Sequence, residues 1–233
     1  MLAQPVQTLI MPSLFQILIT IHVAGGTAGL ISGTVSAASQ KGGFWHKLSG
    51  KIFFWGMFSA SIAALIISNL PEHKNLFLFA VGGFTLYMIC SGYRIVALKR
   101  LAKNSDQPIT WLDYALSLFG LGFGGYLLFL GGKLVMNGQN FGIVPIVFGL
   151  ICVNYARLDY QFLNGKQSVK AIWISNHIIR MMGAMIASYT AFLVVNIKMD
   201  PEWVLWLLPT LIGSGLIAYF MRKFVKPKSA KTV

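Results

Sequence analysis

The chain has 233 residues, 56% of them hydrophobic and 11% charged, with a net charge of +13 and a mean hydropathy of +0.68. Such a composition excludes a soluble domain of this length and points to a membrane protein. The positive charge does not indicate nucleic acid as a partner, because the basic residues sit at the ends of apolar runs and mark orientation instead.

Seven apolar runs are near the ~20 residues that a helix needs to cross a hydrocarbon core. They predict an all-α bundle with a single membrane domain spanning residues 1–233 and no soluble domain. The first span, Ser13 to Ala37, carries His22, Gly25, Gly26, Gly29 and Gly33 at spacings of three and four. One helix face thus bears a histidine and then a strip without side chains. Such a strip suits close helix packing, a groove for a flat ligand, or docking of another subunit. Val35-Ser36-Ala37 resembles a signal cleavage site, but no Lys or Arg precedes the run and a histidine interrupts it, so it is expected to stay as a span.

His46, among Lys47 and Lys51, flanks the second span, Ile52 to Leu70, and its position predicts a solvated interfacial role with metal or haem ligation as the alternative. His73, between Glu72 and Lys74, reads as surface. The third span, Leu76 to Leu98, ends near Tyr93 and Arg94; the fourth, Trp111 to Leu134, opens with Asp113. The fifth, Phe141 to Leu158, closes on Asn154, Arg157 and Asp159. Cys90 and Cys152 lie inside spans and read as small buried apolar residues.

In the sixth span, Ala171 to Asn196, helical spacing puts His177, Arg180, Ala184, Ala187 and Ala191 on one face, and the run contains no acidic residue. Charges inside spans are costly and usually face the protein interior. Arg180 therefore either pairs with Asp113 or Asp159, bonds carbonyls of a broken helix, or meets an anionic ligand. The smooth faces of spans one and six are expected to pack together and to join His22, His177 and Arg180 in one interior. From the rise of ~1.5 Å per residue, His22 and His177 differ in depth by about 15 Å, which argues against a haem shared by that pair. Met181, Met182 and Met185 read as core rather than as copper ligands.

The seventh span, Trp203 to Phe224, leads into a basic tail reaching Lys231. With the N-terminus outside and the C-terminus cytoplasmic, fifteen of the 19 basic residues fall on the cytoplasmic side, as the positive-inside rule requires. The tail then suits anionic lipid headgroups. Polar residues accumulate toward that side: Arg94, Asp113, Asn154, Arg157 and Asp159 form an expected supporting cluster. No HExxH pair, no phosphate-binding glycine loop and no interior lysine in the last span occur, which removes zinc proteolysis, NTP hydrolysis and retinal chemistry.

The segments HVAGGTAGLISG from His22, KGGFWHKLSGKIFFWGM from Lys41, GYR at Gly92 and NHIIRMMGAMIASYTAFLVVN from Asn176 resemble those of a bacterial family of predicted membrane proteins that share a domain of unknown function. The resemblance runs from the first span through the sixth. It implies a bacterial inner membrane location and a residue set of His22, His46, Arg94, His177 and Arg180, and it brings no activity with it.

Two functional expectations follow. The first is a polar intramembrane site, open to the cytoplasm, that binds or moves a small anionic or protonatable solute, with Arg180 holding the negative group and His177 and His22 bonding it or relaying protons. The second is a redox protein binding b-type haem or quinone, with His22, His46 or His177 as ligands and Arg180 meeting a propionate. A non-catalytic subunit that docks a partner or a second copy through its glycine strip is a third.

Overall fold

A computed structural model describes residues 13–101, 109–165 and 169–225. Among the described residues every regular element is helical: α1 (Leu14–Ala38), α2 (Phe44–Ile67), α3 (Leu76–Leu101), α4 (Trp111–Met136), α5 (Ile143–Leu163), α6 (Val169–Asn196) and α7 (Trp203–Phe224). All seven are long and apolar enough to cross a membrane. The tail from residue 226 onward, with its expected lipid contacts, lies outside the described residues.

Helix ends carry the expected capping chemistry. The Ser13 hydroxyl accepts from the Gln16 backbone N–H at 3.2 Å, while the Gln16 side chain accepts from the Ser13 N–H at 2.8 Å, so two N–H groups that the first turn leaves unpaired are satisfied reciprocally. At the start of α4 the Thr110 N–H donates to Asp113 at 2.8 Å. α2 begins eight residues before the apolar run does. Hydropathy marks where a chain enters lipid, whereas Gly43 at the N-cap marks where the helix begins. His46 consequently sits on α2, half-buried, and the expectation of a solvated flank is corrected.

Apolar surface is distributed as lipid requires. Leu211 is 74% exposed and Phe129 67%, whereas Arg180 is 1% exposed; water would demand the reverse. α3 is the central helix, packed on α2, α4, α5 and α6. Phe84, Tyr87, Met88 and Ile89 of α3 join Phe53 and Met57 of α2, Cys152 of α5, and Ala184 and Ala187 of α6 in the main core.

The glycine strip of α1 packs on α2 of the same chain, not on α6. A Cβ at Gly25 would lie 2.7 Å from the Gly56 carbonyl oxygen, and one at Gly33 would lie 2.7 Å from the Phe53 ring. This is small-residue packing that lets two backbones approach, and it occupies the face of Gly25, Gly29 and Gly33 within the chain, while Gly26 stays open. Contact between α1 and α6 is slight and includes the Thr34 and Tyr189 hydroxyls at 2.5 Å. α6 instead packs on α3 and α7.

Candidate functional site

The polar groups of the bundle collect at one end, where α1, α3, α5 and α7 finish and α2, α4 and α6 begin. This basic end holds three separate constellations.

The first surrounds Arg180. Its Nη1 donates to Asp159 Oδ2 at 3.1 Å and its Nη2 to Oδ1 at 2.5 Å, a bidentate fork whose planar donors match a carboxylate. Tyr87, wholly buried on α3, donates its hydroxyl to Asp159 Oδ2 at 2.7 Å. The guanidinium lies 5.1 Å from the Tyr155 ring centre and 5.6 Å from that of Tyr87, so aromatic faces cover the cation where bonds do not. Close approach of α3 makes this possible: a Cβ at Gly92 would sit 2.9 Å from the Arg180 Cβ.

Arg180 is thus neutralised within the protein. Of the alternatives left open by the sequence, pairing with Asp159 is the one realised, and the missing anion that motivated an anionic ligand is Asp159 itself. A haem propionate has no free guanidinium to meet there.

The second constellation lies nearer the ends of its helices, late in α3 and in the first turn of α4. Arg94 Nε donates to Asp113 Oδ1 and its Nη2 to Oδ2, both at 2.8 Å, and Nη2 reaches the Thr110 hydroxyl at 3.0 Å. Asp113 therefore serves as counter-ion and helix cap together. Between the two ion pairs runs a cleft of about 30 Å³ lined by Ser91, Arg94, Asp113 and Asp159 with apolar neighbours. The Asp159 side chain is 19% exposed, against 2% for that of its partner Arg180. Asn154 and Arg157 lie on the exposed face of α5 and do not join this cluster, because α5 turns only its Cys152, Ala156 and Asp159 side toward α3 and α4.

The third is a histidine pair. His46 and His177 face each other with ring centroids 6.4 Å apart and ring planes at 85°. His46 Nδ1 lies 3.0 Å from the Ser36 carbonyl oxygen and His177 Nδ1 lies 2.9 Å from that of Gly92. A carbonyl only accepts, so each Nδ1 carries its proton, and in the neutral ring Nε2 keeps a lone pair. Lys41, in the turn between α1 and α2, donates to the Ser36 carbonyl at 3.0 Å and covers the Phe220 ring at 4.3 Å. Burial, with the charge of Lys223 nearby, lowers the Lys41 ammonium pKa from its ordinary range.

His22 is not part of any of these. Its Nδ1 bonds the Ala60 carbonyl at 2.9 Å on α2, so the expected triad of His22, His177 and Arg180 is not assembled. His73 is exposed and stacks on Phe15 with centroids 3.8 Å apart. Tyr87 is a neighbour of the site that the sequence does not announce: a tyrosine in an apolar run reads as core until its hydroxyl has a partner. Among the described residues no three His, Cys, Asp or Glu side chains gather as a metal site.

No family model matches the chain, and no curated protein and no solved structure matches it either.

Proposed function

We propose that this multi-pass membrane protein binds a small protonatable solute at the basic end of its bundle, in the cleft between α3, α4 and α5, with Asp159 as the group that meets it. The carrying observation is the position of the Asp159 carboxylate. Its inner side is held by Arg180 and Tyr87, while its outer side faces the cleft shared with Asp113 and Arg94. A cleft of about 30 Å³ accepts a group the size of one water. The ion pairs on its walls match each aspartate with an arginine, so the surplus cation that favoured an anion is gone and the protonatable solute remains. Arg180 and Tyr87 position Asp159; His177 and His22 have no part in the cleft.

The distribution of basic side chains supports a reading in which this end faces the cytoplasm and the N-terminus lies outside, and the family resemblance supports a bacterial inner membrane. Of the residue set which that resemblance supplies, Arg94 lines the cleft, Arg180 holds Asp159 from behind it, and His22 lies elsewhere.

Ammonium, close to water in size, is the direct probe. In nanodiscs, ammonium chloride titrated against a sodium chloride control should shift the carboxylate infrared bands to saturation, and Asp159→Asn should abolish the shift. Spectra that are the same in both salts would refute the reading.

A further inference from the structure

The histidine pair lies outside the cleft, and its geometry carries an inference independent of the solute reading. Imidazole nitrogens bind first-row metals at about 2 Å, and a ring centroid lies about 1 Å behind its nitrogen, so two imidazoles trans to one metal have centroids roughly 6 Å apart. His46 and His177 stand 6.4 Å apart. In both, Nδ1–H is tied to a backbone carbonyl, the outer bond that fixes tautomer and ring orientation in metal-binding histidines.

The surroundings select among metals. α2 and α6 do not pack extensively on each other; α3 packs on both, while α1 packs on α2 and meets α6 only slightly. Two histidines without a third protein ligand leave four equatorial positions for a planar ligand to fill. Lys41 acts electrostatically on both imidazoles and Lys47 on His46, and no acidic side chain bonds either ring among the described residues. Such a cationic rim repels a bare metal ion and attracts a macrocycle bearing carboxylates.

We propose that His46 and His177 are the axial ligands of an iron porphyrin at the basic end of the bundle, with Lys41 and Lys47 on the side of its carboxylates. The expected depth mismatch excluded His22 with His177; the pairing with His46 has no such mismatch, because α2 begins early enough to carry it into the bundle. Arg180, tied to Asp159, takes no part.

The test is the full chain expressed with a haem precursor and purified, then titrated with hemin in nanodiscs. The expected result is a low-spin Soret spectrum at about one haem per chain, with occupancy reduced on the order of tenfold or more in His46→Ala and in His177→Ala. His22→Ala should keep the wild-type spectrum. His177→Met, which retains a ligand, should bind hemin with a shifted spectrum, and it guards against an alanine variant that simply fails to fold. Absence of a Soret band from both preparations, equal occupancy in all variants, or binding of copper but not hemin would overturn the assignment.

Discussion

Two arginine–aspartate pairs, built from the same groups, occupy different environments in this bundle. In the Arg180–Asp159 pair the cation is the buried member, its side chain 2% exposed and roofed by two tyrosine rings; in the Arg94–Asp113 pair the carboxylate is the buried member, its side chain 5% exposed, and it also caps a helix. The difference teaches what each is for. Removing one partner of a buried pair strands an uncompensated charge and is strongly destabilising, whereas a long arginine near a helix end, such as Arg94, can still reach toward water when its partner is lost. The inner pair fixes how α3, α5 and α6 meet. The outer pair fixes where α4 starts.

The comparison can be broken at graded points. Arg180→Ala should cost the most, about 3–5 kcal/mol in reversible detergent unfolding, since Asp159 would be left among Tyr87 and Tyr155. Gly92→Ala follows at about 1–3 kcal/mol, because its new methyl would meet the Arg180 Cβ at 2.9 Å and force α3 from α6. Asp113→Ala should cost about 1–2 kcal/mol, through loss of the cap and of the Arg94 counter-ion, with hydrogen exchange rising in the first turn of α4. Arg157→Ala, on the exposed face of α5, should fall within about 0.5 kcal/mol of wild type. If Asp113→Ala proved as costly as Arg180→Ala, depth would not distinguish the pairs.

How much of this was legible in the sequence depends on the range of the interaction. Spans are local, so all seven runs of apolar residues became helices. The start of α2 was misplaced because Lys47 and Lys51 break the hydropathy signal without breaking the helix, and with it His46 was left outside the bundle. Arg180 announced itself as a charge in an apolar run, and its counter-ion was narrowed to Asp113 or Asp159. Choosing between them required knowing that α5, not α4, comes to Arg180 across α3. The glycine strip of α1 signalled close packing but not against which helix; the short turn to α2 settled that, because an antiparallel neighbour is the nearest surface. The polar role of Tyr87 depends on a residue 72 positions away and leaves no local trace.

A double-mutant cycle on the inner pair tests the central claim most directly. Arg180→Met, Asp159→Leu and the two together should be compared with wild type in reversible unfolding. A buried, mutually neutralising pair predicts that each single change is severely destabilising and that the double variant recovers about 2–3 kcal/mol of the summed loss. Strictly additive losses would contradict it, for Arg180 would then have a partner other than Asp159.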